Sequence, residues 1–155
     1  MPTDWIYSNG SLIINSITAF PPNCIGFIYE IFNIKTGKYY IGKKSLYSTV
    51  KKKLTKKELA EIETKGRKPT FKKVTKESNW QDYWGSNKLL LEDLKKEGKH
   101  NFQRNILKLC YTKKQLTYWE MHYQCSRDVL NDDNCYNDNI LAKFFSKDLI
   151  EQLEN

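Results

Sequence analysis

The sequence predicts an α+β fold organised around one β-hairpin. Two short β-rich runs, residues 26–32 and 38–44, flank a turn-prone segment rich in Asn, Thr and Gly, which is typical of a hairpin with a short loop. Residues 102–109 alternate well enough to form a third strand. Capping patterns place helices around these strands. A chain of 155 residues is long enough for a single domain with its own core.

The register of the hairpin decides where its tyrosines lie. If the loop consists of residues 34–37, Ile31 lies opposite Tyr40, and Tyr29 is one diagonal step away on the same face. A slip of one residue would place the two tyrosines on opposite faces of the sheet. We therefore predict the register that brings both phenols to one face.

The other elements follow in chain order. An Asn-Gly signal between residues 5–7 and 12–14 predicts a short N-terminal hairpin. Helices are predicted to begin at the caps Thr55, Ser86, Thr112 and Ser146 and to end near Gly66, Gly98, Arg127 and Leu153. The single domain, residues 1–155, thus has a core at about 25–140, a Lys-rich helical insertion at about 45–78 and a C-terminal helix at about 146–154.

The positive charge is concentrated in one segment. The chain has 26 Lys and Arg against 18 Asp and Glu, a net charge of +8 and a pI of about 9.2. Residues 51–76 hold eleven of the basic residues and only three glutamates. Such a cluster is typical of a surface that binds a polyanion, most simply nucleic acid. The alternative is a solvated surface that keeps the protein soluble.

The sequence shows no secretory signal and no apolar run long enough for a membrane span, so we expect a cytoplasmic protein. The cysteines are at positions 24, 110, 125 and 135 without CxxC spacing, which predicts reduced thiols. His122, Cys125 and Cys135 lack an obvious fourth zinc ligand. His100 and His122 are predicted to be surface or packing residues, and Trp80 and Trp84 to be core anchors.

Glu120 lies within the apolar stripe of its predicted helix. Leu116, Trp119 and Tyr123 fall on the same face by their helical spacing. A lone carboxylate near a core is costly unless it is paired or binds a cation. Glu120 is therefore either a partner in a salt bridge or a metal ligand. One carboxylate completed by water and phosphate oxygens suits Mg²⁺, and the lack of further clustered carboxylates favours one ion over two.

Four short motifs together resemble the GIY-YIG nuclease family. They are Gly26-Phe27-Ile28-Tyr29, Tyr40-Ile41-Gly42, Glu120 on a late helix and Asn137 in the following loop. The resemblance spans about residues 25–137, although Phe27 departs from the literal Gly-Ile-Tyr. The run Trp80-x-x-Tyr83-Trp84-Gly85-Ser86 is similar to phage-encoded members of the family, which includes phage homing endonucleases.

The resemblance implies a small three-stranded antiparallel sheet flanked by helices, with Mg²⁺ or Mn²⁺ bound by Glu120. It implies that Tyr29 is the general base or positions the attacking water, that Tyr40 is its hydrogen-bonded neighbour, and that Asn137 orders the site. A phenol with a pKa near 10 is a poor base at neutral pH unless nearby cations lower its pKa. Lys43 and Lys44 are the closest candidates for that role.

The family also places an arginine on the first helix after the second tyrosine. Residues 46–53 contain none, so Arg67, Arg104, Lys44 or Lys88 would have to supply that charge.

The leading hypothesis is a divalent-metal-dependent DNA endonuclease that hydrolyses phosphodiester bonds, acting as a monomer or a dimer. The alternatives are a noncatalytic nucleic-acid-binding protein on the same scaffold and a small basic protein-interaction domain. The residues predicted to contact DNA are Lys51, Lys52, Lys53, Lys56, Lys57, Lys65, Lys68, Lys72, Lys73 and Lys88.

Overall fold

The computed structural model describes residues 4–7, 10–62, 66–67 and 69–150. The chain divides into two compact units, Met1–Leu46 with Asn79–Asn155 and Tyr47–Ser78. Within the described residues the strands are β1 Trp5–Tyr7, β2 Leu12–Ile14, β3 Gly26–Asn33, β4 Tyr39–Ser45, β5 Tyr47–Lys53, β6 Phe71–Glu77, β7 Phe102–Cys110, β8 Asn139–Ile140 and β9 Phe144–Phe145. The α-helices are α1 Lys56–Glu61, α2 Lys88–Glu97 and α3 Lys113–Ser126.

The first unit is built on a five-stranded mixed sheet with the strand order β2-β1-β7-β3-β4. The predicted three-stranded antiparallel sheet is therefore wrong in size and in the pairing of one strand, since β1 runs parallel to β7. The predicted N-terminal hairpin is present as β1 and β2, and it extends the central sheet. A two-stranded hairpin is marginal alone, and docking on β7 lets Trp5 and Ile14 enter the core.

The central hairpin has the predicted register. Ile31 lies opposite Tyr40, and Tyr29 lies opposite Gly42. The loop is stabilised by Asn33, whose side-chain oxygen accepts hydrogen bonds from the backbone N–H groups of residues 35 and 36. A bulge between residues 28 and 29 shifts the pairing of β3 with β7. Both tyrosines therefore face the same side of the sheet.

One helix covers each face of this sheet. Leu90 and Leu94 of α2 join the core cluster that contains Phe27. Leu116 of α3 packs on the opposite face in the cluster that contains Ile28. Because β4 is an edge strand, the outward-facing backbone groups of β4 need partners from outside the sheet.

The helix caps agree only in part with the sequence prediction. Thr112 caps α3 by accepting a hydrogen bond from the backbone of Gln115, as predicted. The cap of α2 is Asn87 rather than Ser86, because the Asn87 side chain accepts the bond from the Leu90 N–H. Ser146–Leu149 is a 3₁₀ turn rather than an α-helix, and the remainder of the predicted C-terminal helix lies outside the described residues beyond position 150.

The second unit is mainly a two-stranded antiparallel ribbon of β5 and β6. The predicted helical insertion is wrong for most of its length, since helix α1 covers only Lys56–Glu61. The capping box of Thr55 and Glu58 is confirmed. Both strands hold β-branched and aromatic residues beside their lysines, and these residue types favour a ribbon over a helix. Among the described residues, no helix has the length and apolar character required to cross a membrane.

Candidate active site

Two phenols from adjacent strands form the centre of the candidate site. The rings of Tyr29 and Tyr40 are 6.1 Å apart between centroids and are tilted by 40°. Tyr29 is only 1% exposed, while Tyr40 is half-buried. Tyr83 packs edge-on against Tyr29 at 5.9 Å, and their side chains share a hydrogen bond. The fold thus builds a cluster of three phenols in which Tyr29 is the innermost.

Gly42 provides the space that the inner phenol occupies. A Cβ atom at this position would lie 2.7 Å from Cζ of Tyr29 and 3.1 Å from Cε1 of Tyr40, with the Tyr29 hydroxyl closer still. Any side chain would therefore collide with both rings. Glycine is required here by close approach, because residue 42 lies directly opposite Tyr29 in the hairpin.

Glu120 approaches the same place from α3, which packs on the other face of the sheet. Its carboxylate accepts a hydrogen bond from the backbone N–H of Lys43 on the edge strand. Burial raises the pKa of Glu120, and the Lys43 charge opposes this shift only in part. The negative charge of Glu120 in turn raises the pKa of both Tyr29 and Tyr40. The carboxylate is therefore close enough for its charge to act on both phenols.

The pKa of the inner phenol moves in the direction opposite to the one that a general base needs. Burial is the largest cause that raises the pKa of Tyr29 well above its usual value, followed by the neighbouring Tyr40, Tyr83 and Glu120. Burial also raises the pKa of Tyr40, and a hydrogen bond from Ser86 opposes this shift. Both phenols are consequently neutral at physiological pH in the free protein.

Lys43 and Lys44, which were expected to lower that pKa, direct their ammonium groups elsewhere. Lys43 donates from Nζ to Oγ1 of Thr117 at 3.2 Å, on the α3 side of the sheet. Lys44 donates from Nζ to Oδ1 of Asn79 at 2.8 Å and lies 4.1 Å from the centre of the Tyr83 ring. Lys44 is therefore the cation on the phenol side, and Lys43 is the cation near Glu120.

Asn137 fixes the edge strand between the two halves of the site. Its side-chain oxygen accepts from the Ile41 N–H at 2.9 Å, and its side-chain nitrogen donates to the Ile41 carbonyl at 2.8 Å. Gln124 donates a second hydrogen bond to the same carbonyl at 3.0 Å. The amide thus replaces a missing neighbouring strand at the residue between Tyr40 and Gly42. Asn137 is a positioning residue in this geometry.

The comparison with family models agrees with this arrangement. Residues 5–140 match the model SegE_GIY-YIG, described as "Putative endonuclease segE, GIY-YIG domain". The match covers most of the chain and includes both tyrosines, Glu120 and Asn137. The chain belongs to the GIY-YIG endonuclease family. No curated protein and no solved structure matches the chain.

Membership of the GIY-YIG family indicates nuclease activity and a nucleic-acid substrate. The arginine that this family places on its first helix has no counterpart at that position, and Arg104 does not replace it. Arg104 donates from Nη1 to the carbonyls of Gln81 and Tyr83 at 2.8 and 2.9 Å. Its guanidinium also lies 4.5 Å from the Trp5 ring and 4.2 Å from the Trp84 ring. Arg104 therefore holds the Tyr83 turn in place, and burial lowers its pKa to about 10.

The other predicted cations have different positions. Lys88 is the exposed first residue of α2, and Arg67 is an exposed residue of the second unit. Lys65 and Lys68 fall outside the described residues. Lys72 is paired with Glu58. The remaining lysines predicted to contact DNA, Lys51, Lys52, Lys53, Lys56, Lys57 and Lys73, are exposed.

Two residues of the GIY-YIG site were missed as functional residues in the sequence. In the sequence Tyr83 stands out only as a member of the run similar to phage-encoded relatives, and Ser86 only as a member of that run and a helix cap, yet both contact the tyrosine pair. Their signal was the run Tyr83-Trp84-Gly85-Ser86, in which Gly85 at φ +85° turns the chain beside Tyr40. Sequence spacing alone gave no reason to connect this run with the hairpin.

The donor set fits a single oxygen-coordinated cation. No ion pair involves Glu120 among the residues that the structure describes, so the Lys43 charge offsets this partly desolvated carboxylate only in part. Mg²⁺ commonly takes one protein carboxylate and completes its octahedron with water and substrate oxygens. In the same described part of the chain, no three His, Cys, Asp or Glu side chains form a metal-binding cluster, so His122, Cys125 and Cys135 do not form a zinc site. All four cysteines are free.

Proposed function

We propose that this protein is a DNA endonuclease that hydrolyses phosphodiester bonds with the help of one divalent cation bound by Glu120. The observation that carries the proposal is the carboxylate itself. It is partly buried, forms no ion pair among the described residues although the Lys43 charge offsets its own in part, and exerts its charge on Tyr29 and Tyr40. A structural salt bridge, the alternative explanation for Glu120, would have neutralised that charge.

Glu120 would hold the ion, Mg²⁺ or Mn²⁺, beside the edge strand that carries Tyr40. A bound divalent ion would offset negative charge on the phosphate and on the leaving 3′ oxygen. It would also counter the effect of Glu120 on the phenols. The hydrogen bond from the Lys43 N–H orients the carboxylate for this task.

The two phenols, which are neutral in the free protein, would bind and orient the attacking water rather than take its proton. The sequence resemblance assigned the role of base to Tyr29, but this residue is 1% exposed and its pKa is raised. Tyr40 is the member that solvent reaches, and Tyr29 fixes the ring of Tyr40 from behind. We therefore assign contact with water to Tyr40 and a positioning role to Tyr29.

Lys44 supplies positive charge on the phenol side of the site. Its ammonium lies over the Tyr83 ring and burial lowers its pKa, so it is held in a partly desolvated place where its charge is poorly screened. We propose that Lys44 takes over the contact with phosphate that the family assigns to a helix arginine. The lysines of the second unit add electrostatic attraction to the DNA backbone.

Conversion of supercoiled plasmid to the nicked form, with and without Mg²⁺, tests the proposal. The wild type is expected to nick only with the metal, and Glu120→Gln and Tyr40→Phe are expected to lose at least about 100-fold in rate, the usual scale for an acid–base or metal contact. Glu92→Gln and Tyr118→Phe, exposed on α2 and α3, are the matched controls and should nick at the wild-type rate. Nicking that survives Glu120→Gln would refute the assignment. Binding without nicking in the wild type would favour a noncatalytic nucleic-acid-binding protein.

A further inference from the structure

The open face of the β5–β6 ribbon carries three lysines, as the other face does, but it also carries two exposed aromatic rings. Strand pairing places residues 47, 49, 51 and 53 beside residues 77, 75, 73 and 71 on this open face, and every one of these residues is exposed. The open face consists of Tyr47, Thr49, Lys51, Lys53, Phe71, Lys73, Thr75 and Glu77. Phe71 is 55% exposed and Tyr47 is 42% exposed, so the ribbon leaves two aromatic rings in solvent.

The opposite face is partly occupied. Val74 and Lys72 are half-buried there, and Lys72 forms its ion pair with Glu58 of helix α1. Helix α1 therefore occupies Lys72 on this face, while Lys52 and Lys76 remain exposed there. The open face has no such cover from α1.

The positive charges on the open face oppose one another. Lys51 and Lys73 are directly paired across the two strands, an arrangement that costs stability. Lys52 and Lys72 are paired in the same way on the other face, but there Glu58 offsets the charge of Lys72. Within the described residues, none of Lys51, Lys53 and Lys73 has a carboxylate partner. A ribbon of two strands is marginally stable, so like charges without a carboxylate partner on its open face indicate a surface that is completed by a polyanion.

The dimensions and side chains of this face match a DNA groove. Seven residues per strand give a ribbon roughly 20 Å long, and the major groove, about 12 Å wide, admits a two-stranded β-ribbon. Lysine donates to guanine N7 and O6, threonine to several base edges, and an exposed aromatic ring contacts the thymine methyl group. Lys51, Lys73, Thr49, Thr75 and Phe71 supply all three kinds of contact on one face.

We propose that the open face of the β5–β6 ribbon enters the major groove of duplex DNA and supplies base-edge contacts as well as phosphate contacts. This inference takes from the proposed function that the substrate is DNA, but it does not depend on cleavage of that DNA. It narrows the DNA-contacting lysines to one face of the ribbon. Lysines on exposed strands also oppose edge-to-edge association, and that role predicts aggregation rather than loss of DNA binding when they are replaced.

Anisotropy titrations with a fluorescent duplex in EDTA test the proposal without cleavage. K51Q/K53Q/K73Q removes charge from the open face, and K52Q/K56Q/K76Q removes the same charge from the other face and from α1. Affinity is expected to fall at least about 10-fold for the open-face set. The slope of log K against log salt should decrease by as much as about 2.7, since each lysine whose charge neutralises a phosphate contributes about 0.9. The control set should reduce the slope by less than about 1. Phe71→Ala should weaken binding while leaving the salt slope unchanged.

Methylation by dimethyl sulfate identifies the groove, because guanine N7 lies in the major groove and adenine N3 in the minor groove. The wild type should protect guanine N7, and the open-face variant should not. The proposal would be overturned if both triple variants had the same salt slope, or if the protein protected only adenine N3 from methylation. It would also be overturned if the open-face variant aggregated but kept its affinity for DNA. If the triple variant unfolds, Lys51→Gln and Lys53→Gln alone should each reduce the slope by about 0.9. If the wild type nicks plasmid and the ribbon variants bind DNA normally, this inference fails and the proposed nuclease function stands. If DNA binding depends on the ribbon but the wild type does not nick plasmid, only the proposed nuclease function fails.

Discussion

Replacing Gly42 by alanine is the sharpest test of the phenol cluster. The added methyl group would lie 2.7 Å from Cζ of Tyr29, and that ring cannot retreat because Trp5 packs against it at 5.5 Å and Tyr83 at 5.9 Å. Overpacking of this kind costs about 1–3 kcal/mol. For a chain of this length each kcal/mol corresponds to roughly 2–4 °C in melting temperature. Urea unfolding followed by far-UV circular dichroism measures the loss.

A double-mutant cycle shows whether the cost arises at the predicted contact. Tyr29→Phe removes the hydroxyl, the atom nearest to the new methyl group, so Gly42→Ala should cost less in that background by at least about 0.5 kcal/mol. Gly37→Ala is the matched control. Its Cβ would meet no atom within 4 Å, and its cost comes from its φ of +78° alone, so it should be additive with Tyr29→Phe. A neutral Gly42→Ala variant, or one that is additive with Tyr29→Phe, would refute the close approach.

Three further substitutions test the supports of the site. Asn137→Ala leaves the Ile41 N–H without its partner and should lower the free energy of unfolding, measured in urea, by about 1–3 kcal/mol. A change below about 0.5 kcal/mol would contradict the role of Asn137 in holding the edge strand. In Arg104→Lys the new side chain cannot reproduce the forked contact with two carbonyls or the stacking between two indoles, so this variant should have a lower melting temperature and a looser Tyr83 turn. An unchanged melting curve would argue against the role of Arg104 in holding that turn. Burial raises the pKa of Glu120, so ionisation of this carboxyl lowers the free energy of unfolding as pH rises. Glu120→Gln should therefore be more stable than the wild type at neutral pH, and the difference between the two proteins should vanish below about pH 4.5. A difference that persists in acid would contradict the assigned cause.

Local patterns predicted the centre of the fold. The Asn-to-Gly loop fixed the register that places Ile31 opposite Tyr40, because short loops leave few ways to pair the flanking strands. The helical spacing around Leu116 placed Glu120 next to apolar residues, and in the structure Glu120 is partly buried, which raises its pKa. These features depend on residues that are close in sequence.

Features that depend on distant residues could not be predicted in this way. The parallel pairing of Ile6 with Asn105 joins strands almost a hundred residues apart, so neither strand's own sequence specifies it. The role of Asn137 depends on the free backbone edge at Ile41, which exists only because β4 ends the sheet. Lys43 and Lys44 are neighbours in sequence, but alternation along the strand and partners on different elements send their ammonium groups to opposite sides.

The strands of the second unit were missed for a compositional reason. Lysine is depleted in strands and common in helices, so the Lys-rich runs near Lys52 and Lys72 favoured a helical interpretation. The β-branched residues Val50 and Val74, paired across the ribbon, were the opposing signal. The capping box at Thr55 was a true helix start, but its helix ends at Glu61.

Electron paramagnetic resonance of Mn²⁺, titrated into the protein with an uncleavable duplex, measures the central claim directly. Glu120 and the adjoining phenols are proposed to form one site for one divalent cation beside the phosphate. We predict about one tightly bound Mn²⁺ per wild-type chain, and none in Glu120→Gln although that variant still folds and binds the duplex. Equal Mn²⁺ binding by the two proteins would contradict the account.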